Sequence, residues 1–176
     1  AQILRDNGIE PFVPHESFRP ALPEWTTDYL LKRGLLNQED LQTTSIPDLV
    51  WELVLQGRLR REDLGLPSMT PEHIFEVDYA GLASSNAIVA LLDGTQVDDG
   101  TAWEIGIFYG LLREDPSKKG ILGFMTDFRA LYRAERGYGL NLFVLGVIEE
   151  CGKILADFDE VVAQLKAWDT ELRASH

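Results

Sequence analysis

The stretch NAIVALLDGTQVDDGTAWEIGIFYGLLRED, residues 86–115, indicates the fold class of the chain. Its first part, NAIVALLDG, is a continuous apolar run that closes at an Asp-Gly pair, which is typical of a strand buried on both faces. Its second part, DGTAWEIGIFYGLLRED, predicts a helix that is apolar on nearly every side. A buried strand followed directly by such a helix is the unit from which parallel α/β sheets are built.

The alternation of strands and helices continues on both sides of this unit. Downstream, KGILGFMTD and KILAD predict two further strands with a helix between them in LNLFVLGVIEECG, and DFDEVVAQLKAWDTELR predicts a closing amphipathic helix. Upstream, TPEHIFEVDYAGLASS begins like a helix, with Thr70 as its cap and Pro71 at its first position. The sequence therefore predicts one α/β domain over residues 1–176, with a Rossmann-like or flavodoxin-like parallel sheet flanked by helices.

The N-terminal third is less regular and predicts an insertion of helices. AQILRDNG indicates the end of a helix that Gly8 stops, and IEPFVP predicts a short strand. Residues 19–69 contain two helical patterns, TTDYLLKRGLL and SIPDLVWELVLQGRL, the second capped by Ser45, and a predicted loop, REDLGLPSM. We interpret 19–69 as a helical insertion at the surface or at an oligomer contact. The alternative is a lid over the ligand site that uses Trp25, Tyr29 or Trp51.

The composition argues against several classes of function. The chain has a formal net charge of -13 and a pI near 4.5, whereas binding a phosphate backbone needs a basic face, so we expect no nucleic-acid partner. Cys151 is the one cysteine, which excludes an intramolecular disulfide and argues against a cysteine-based zinc site. No apolar run reaches the roughly 20 residues of a membrane span, and no signal peptide is evident. We therefore expect a cytoplasmic protein with no membrane partner.

Acidic side chains gather where a ligand is expected to bind. In parallel sheets, ligands bind beyond the carboxyl ends of the strands, and here those ends carry DG and TDFR. Asp98 and Asp99 begin the following helix, and either could cap it, with Asp99 favoured. Glu104 lies among apolar neighbours, and a carboxylate in a buried first helical turn needs a reason. It is either exposed to solvent at one edge of the helix, or a nucleophile or general base that faces a pocket.

The residue types alone leave different kinds of function open. Carboxylates bind Mg²⁺, and a phosphotransfer site of that kind would use Asp93, Asp98 and Asp99. Carboxylates also catalyse glycosyl transfer, in which one attacks the anomeric carbon and a second protonates the leaving group. A nucleotide-sensing module without catalysis also stays open, because a fold does not fix a function.

The order of the acids and of a second block follows a known pattern. Asp78 on a helix, the strand in NAIVALLDGTQV, Asp98, the helix start DGTA and Glu104 come first, and TDFR and YGLNLF come later. In this order the segments resemble the nucleoside 2-deoxyribosyltransferases and the related deoxynucleoside-monophosphate N-glycosidases. In that family the glutamate is the nucleophile. The later block is similar to the family's DFR and LNLM segments, in which Asn141 matches the asparagine and Phe143 stands where methionine is frequent.

The resemblance implies a retaining double displacement without a metal or a cofactor. Glu104 would attack C1′ of a 2′-deoxynucleoside, and Asp78 would protonate the departing base. A second base would then attack the deoxyribosyl-enzyme ester. Asp98 and Asn141 would hold the sugar hydroxyls, and the substrate-binding set would comprise Asp98, Asn141, Gly100 and Phe143.

The resemblance also implies partners and leaves one alternative reaction. The family's asparagine reaches the site of a neighbouring subunit, so we expect a homo-oligomer with shared sites that acts on deoxynucleosides and free bases. The family sheet begins with a strand and a Gly-containing loop that have no counterpart here, and we expect them to precede Ala1. The alternative to base exchange is hydrolysis of 2′-deoxynucleoside 5′-monophosphates. We further expect Arg129 to be a structural partner of Asp127, the alternative being a place at the pocket rim. Trp103 is expected to lie in the core or an interface, the alternative being a platform on which a base stacks.

Overall fold

The computed structural model describes residues 1–18, 21–37, 39–43, 45–66, 69–129 and 139–174. The chain divides into two compact units. One unit combines Ala1–Phe12 with Asp78–His176, and the other is formed by Val13–Val77. Within the described residues, no helix is both long and apolar enough to cross a bilayer.

The first unit contains a parallel sheet in the order β1-β2-β3. Its strands are β1 (Ala87–Leu91), β2 (Gly120–Phe124) and β3 (Gly152–Leu155). Ile88 is paired with Ile121 across the first ladder, and Ile121 is paired with Gly152 across the second. The three apolar runs thus form three adjacent parallel strands, which confirms the predicted α/β class.

Helices precede the sheet and alternate with its strands. In the described parts of the chain they are α1 (Gln2–Asp6), α2 (Pro14–Ser17), α3 (Thr26–Lys32), α4 (Asp40–Thr43), α5 (Ile46–Leu55), α6 (Pro71–Ser84), α7 (Asp99–Glu114), α8 (Leu142–Cys151) and α9 (Phe158–Ala174). Gly8, at φ 76°, follows α1 in the left-handed conformation that ends many helices, as predicted. The backbone N–H of His73 donates to the hydroxyl of Thr70 at 3.2 Å, which confirms Thr70 as the cap of α6.

The core of the sheet unit is formed by β1, β2, α7 and α8. Ile105 and Phe108 of α7, Ile121 of β2 and Ile148 of α8 are each 0–1% exposed and belong to one apolar cluster. Burying a side chain of this size contributes about 1.5–3 kcal/mol. The apolar character of α7 therefore serves to fix this helix on the sheet, and with it the acids near its beginning.

The unit Val13–Val77 has an apolar core of its own. Leu30, Leu53 and Leu64 are at most 2% exposed and form one cluster with Val50. The hydroxyl of Ser45 accepts the backbone N–H of Asp48 at 3.3 Å, which confirms the predicted cap of α5. The predicted insertion, residues 19–69, lies within this unit.

Two local predictions in the N-terminal half were wrong. IEPFVP contains no strand: Pro11 and Pro14 lack the N–H that a ladder needs, and Pro14 instead occupies the first turn of α2. Phe12 lies so close to Gly81 that a Cβ on that glycine would be 2.2 Å from the phenylalanine ring. The second error is REDLGLPSM, predicted as a loop, in which Arg61–Leu64 form a 3₁₀ turn.

Candidate active site

The carboxyl ends of β1 and β2 are joined by acids that accept hydrogen bonds. Asp93 follows β1, and its carboxylate accepts the backbone N–H and the hydroxyl of Thr126, both at 2.6 Å, and the N–H of Asp127 at 3.1 Å. In return, Asp127 accepts the backbone N–H of Gly94 at 3.0 Å. Gly94 has φ 117°, a conformation that a side chain would strain. The two strand ends are therefore fixed to each other by reciprocal bonds.

Arg129 completes this bridge. Arg129 is 7% exposed, and its Nε and NH2 groups donate to the carboxylate of Asp127, the latter at 2.7 Å. NH2 also donates to the carbonyl of Leu92. This hydrogen bonding to Arg129 lowers the pKa of Asp127 to about 2. The expectation that Arg129 is a structural partner of Asp127 is thus confirmed, and we name Asp93, Asp127 and Arg129 the paired cluster.

Asp98 rather than Asp99 is the N-cap of α7, which corrects the preference for Asp99. Oδ1 of Asp98 accepts the backbone N–H of Gly100 at 3.0 Å and that of Thr101 at 3.3 Å. Asp99 is the first helical residue and reaches only the N–H of Gly100, at 3.0 Å. Asp98 is exposed, and no donor in the described residues bonds its Oδ2. One oxygen of Asp98 therefore caps the helix and the other is available to a ligand.

Glu104 lies in α7 with two of the other predicted site acids nearby. It is partly buried. Burial raises the pKa of its carboxyl above the ordinary value, and the carboxylates of Asp78 and Asp98 raise it further. The sequence predicted Glu104 in the first turn of its helix. That prediction was wrong, because α7 begins at Asp99 and Glu104 therefore lies in the second turn. The helix dipole, which acts within the first turn, contributes little to keeping Glu104 ionised.

Asp78 is the second acid with a raised pKa. Its Oδ1 is buried and has no hydrogen-bond partner in the described residues, and burial raises the pKa of its carboxyl. Like-charge repulsion is mutual, so ionisation of Asp78 or Glu104 makes ionisation of the other harder. We name Asp78 and Glu104 the unpaired acids. Such a pair can supply a nucleophilic carboxylate and a proton donor.

The other predicted site residues lie at helix beginnings. Gly100 is in the first turn of α7, where a Cβ would come within 3.0 Å of Oδ1 of Asp98. Asn141 caps α8 by accepting the N–H of Phe143 at 2.9 Å, and the Phe143 side chain is 81% exposed. In the described part of this chain, no hydrogen bond connects Asn141 to the unpaired acids. A role for Asn141 in substrate binding therefore stays a prediction.

The exposure of Trp103 narrows one further expectation from the sequence. Trp103 is 74% exposed, so it does not belong to the core of this chain, and an interface or a ligand contact stays open.

A groove of ≈ 370 Å³ lies between β3 and α9, but its lining, which includes Lys153, Glu160 and Gln164, contains none of the predicted site residues. Groups of three or more side chains suited to hold a metal are absent from the described residues.

The chain is similar to a known protein family and to a solved structure. Residues 1–143 match the sequence profile of a family described as Nucleoside 2-deoxyribosyltransferase. That range includes Asp78, Asp98, Glu104 and Asn141. A solved structure described as "Crystal structure of conserved protein from Enterococcus faecalis V583" is 22% identical in sequence to this chain. The match covers 76% of this chain and 92% of that chain, with a TM-score of 0.46. No curated protein matches the chain.

Proposed function

The chain belongs to the nucleoside 2-deoxyribosyltransferase family, and from this premise we propose that it exchanges the base of a 2′-deoxynucleoside through a covalent deoxyribosyl-Glu104 ester. The observation that carries the proposal is the setting of Glu104, whose pKa is raised by burial and by the nearby carboxylates of Asp78 and Asp98. Two carboxylic groups, one ionised and one protonated, are what a retaining displacement at an anomeric carbon needs.

The first half-reaction uses the unpaired acids in different protonation states. A carboxylate oxygen of Glu104 attacks C1′, and the bond between C1′ and the base nitrogen breaks. Asp78 delivers its proton to the departing base. Burial of Asp78 supports this assignment, because a raised pKa keeps a carboxyl group protonated at higher pH. Ionisation of Glu104 is helped when its neighbour Asp78 is the protonated member of the pair.

The second half-reaction reverses these steps with another base. A nitrogen of the incoming base attacks C1′, the ester bond to Glu104 breaks, and the proton displaced from the incoming base returns to Asp78. Both acids are thereby restored. Asp98 supports substrate binding through its free oxygen, which can accept a hydrogen bond from a sugar hydroxyl while the other oxygen caps α7.

The pH dependence of the rate follows from these roles. Activity needs Glu104 ionised and Asp78 protonated, so kcat/KM falls at low pH as Glu104 takes up a proton and at high pH as Asp78 loses its own. Because the two carboxyls interact, the two limbs report the pair and not single residues. A rate that is flat across the acidic range would contradict the assignment.

Exchange is tested by mixing one deoxynucleoside with a second free base and following both nucleosides by chromatography. Formation of the new nucleoside supports base exchange. Release of free deoxyribose, or of its 5′-phosphate from a monophosphate substrate, without a new nucleoside shows hydrolysis instead. Absence of any turnover with nucleosides and monophosphates contradicts catalysis and favours a binding module.

We also propose that Asn141 acts in the site of a second copy of the chain. The support is its exposed position at the beginning of α8, with no hydrogen bond to Asp78 or Glu104 of its own chain in the described residues. Inactive Glu104→Gln and Asn141→Ala proteins are mixed after separate purification and allowed to exchange subunits. Shared sites would restore about a quarter of the wild-type activity in statistically mixed dimers. A mixture that stays inactive despite proven subunit exchange contradicts sharing.

A further inference from the structure

Lys118 is a buried cation that the proposed reaction does not use. It lies between α7 and β2 and is 7% exposed. Its ammonium donates to the backbone carbonyl of Ala83 at 2.8 Å and to that of Ser85 at 2.7 Å. These carbonyls belong to the C-terminal end of α6 and the residue that follows it, where helix carbonyls lack partners within the helix and a positive charge is favourable.

The residues on either side of Lys118 form hydrogen bonds to Asn86, which lies between α6 and β1. The backbone N–H of Lys119 donates to the carbonyl of Asn86 at 2.7 Å, and the side-chain amide of Asn86 donates to the carbonyl of Ser117 at 3.1 Å. Four hydrogen bonds thus join the turn before β2 to the junction of α6 and β1. This turn therefore helps to fix the end of α6.

The ammonium of Lys118 also faces α7. Its Nζ lies 5.5 Å from the centre of the Phe108 ring, within the range of a cation–π interaction. Phe108 is one helical turn beyond Glu104, and Ala83 is five residues beyond Asp78. One buried side chain therefore contacts both helices that carry the unpaired acids.

We propose that Lys118 is a positioning residue that sets the separation of the Asp78 and Glu104 carboxyls by holding the end of α6 against α7. The proposal rests on the proposed function, since that reaction makes the spacing of these two groups matter. In the described residues, the Lys118 ammonium forms an ion pair with Asp115, at 3.8 Å. The charged groups that act on the pKa of Glu104 are Asp78 and Asp98. Lys118 thus acts on the acids through the helices and not by direct pairing.

The test replaces Lys118 with methionine, which has a similar length but no charge and no donor. Lys119→Met is the matched control, because the Lys119 ammonium faces Glu171 on α9, at 3.4 Å, and its backbone bond to Asn86 survives the change. We expect Lys118→Met to lower kcat by roughly tenfold to a hundredfold, as a small misplacement of reacting groups does. KM should change little, because the groups that contact the sugar are retained, and Lys119→Met should leave both constants near wild type.

A second readout does not depend on turnover. The side-chain carboxyls of Glu104 and Asp78 are titrated by carbon-detected NMR in the wild type and in both variants. If Lys118 holds the helices together, its loss admits water and separates the acids, so the pKa of Glu104 falls towards its ordinary value. If Lys118 acted only as a nearby positive charge, its loss would move that pKa upward. The direction of the change therefore separates positioning from a direct charge effect.

Thermal unfolding is measured alongside. Lys118→Gln, whose amide is one atom shorter and carries no charge, takes the place of the methionine variant if the latter does not fold, and it should give a smaller fall in the pKa of Glu104. A pKa of Glu104 that is unchanged or raised in the folded variant overturns the proposal. Should the wild type show no turnover, the proposed function fails, while the titration still decides whether Lys118 sets the spacing of the acids.

Discussion

The paired cluster and the unpaired acids lie in the same unit of the chain, but the pKa values of their carboxyls are shifted in opposite directions. Asp93 and Asp127 each accept several hydrogen bonds, and their pKa values lie below the ordinary range, mainly because of hydrogen bonds from Thr126 and Arg129 respectively. Asp78 and Glu104 have raised pKa values, for which burial is the main cause. The difference separates acids that hold strand ends together from acids that keep their protons to a higher pH than ordinary carboxyls do.

The paired cluster also explains how the unpaired acids can persist. A buried carboxylate without a partner destabilises the folded state, so its surroundings must be held by other interactions. The bridge between the ends of β1 and β2 supplies part of that support, because α7 starts from the loop that leaves β1 at Asp93. We therefore expect changes in the two groups to have different consequences: lost activity in one and lost stability in the other.

The largest expected effect is on catalysis. Glu104→Gln keeps the size and polarity of the side chain but removes the nucleophile, so kcat should fall by roughly 10³-fold or more. The measurement is base exchange followed by chromatography under saturating substrate. Glu114→Gln, a change at the exposed end of the same helix, is the control and should retain wild-type rates. A Glu104 variant with unchanged turnover would remove the distinction between the two groups of acids.

The next largest effect is on stability. Arg129→Met removes the donor that Asp127 and the carbonyl of Leu92 share, and should destabilise the fold by about 2 kcal/mol, less than for a fully buried pair because Asp127 is partly exposed. For a chain of this size that corresponds to a fall in Tm of roughly 4–8 °C. Arg113→Met is the matched control, because Arg113 is exposed and lies 3.5 Å from an exposed glutamate.

The same pair has a defined pH window. The folded-state pKa of Asp127 is lowered from the ordinary 3.8 to about 2. Its contribution is therefore complete above the unfolded value and is lost as the pH falls through about 2. The stability difference between wild type and Arg129→Met should shrink between pH 4 and pH 2. A difference that is constant over this range would show that Arg129 stabilises the fold through packing alone.

Much of the fold was predictable because its signals are local. The apolar runs of β1 and β2, the cap of α6 by Thr70 and the cap of α5 by Ser45 need only neighbouring residues to be recognised. The predicted strand at IEPFVP failed because its place in the chain is decided by prolines without N–H groups and by the packing of Phe12 on Gly81, a contact between residues far apart in sequence.

The sequence indicated which acids come near Glu104 but not their geometry, and their roles in a site stay a prediction. The spacing of Asp78, Asp98 and Glu104 indicated three acids, and the structure gives Glu104 an electrostatic interaction with the other two. Which of two adjacent aspartates caps α7 depends on backbone angles that sequence does not fix. The role of Lys118 was not apparent either, because the carbonyls that it binds are 33 and 35 residues away.

Asp98 caps α7 and has a proposed role in substrate binding, so its substitution should give a smaller effect that is divided between stability and KM. Asp98→Ala removes the cap of α7 and should cost about 1 kcal/mol of stability, whereas Asp99→Ala should cost only a few tenths. Asp98→Asn keeps an oxygen for capping, so it should leave Tm nearly unchanged. If Asp98→Asn still raises KM for the deoxynucleoside, the free oxygen binds substrate. Equal Tm changes for Asp98→Ala and Asp99→Ala would contradict the assignment of the cap.

The smallest effect tests whether the unpaired acids act on each other. Each has a raised folded-state pKa, so the unfolded chain binds fewer protons, and folded stability falls as the pH rises from the ordinary values of 3.8 and 4.5 towards the raised ones. Glu104→Gln and Asp78→Asn should therefore each be more stable than wild type at pH 7, and the gain should vanish near pH 3, where the carboxyls are protonated.

The double variant should gain less than the sum of the two, by about 0.5 kcal/mol, because the first change already removes the repulsion. Denaturant unfolding of all four proteins at both pH values gives this difference. Additive gains would mean that the two carboxyls are independent, and their raised pKa values would then reflect burial alone.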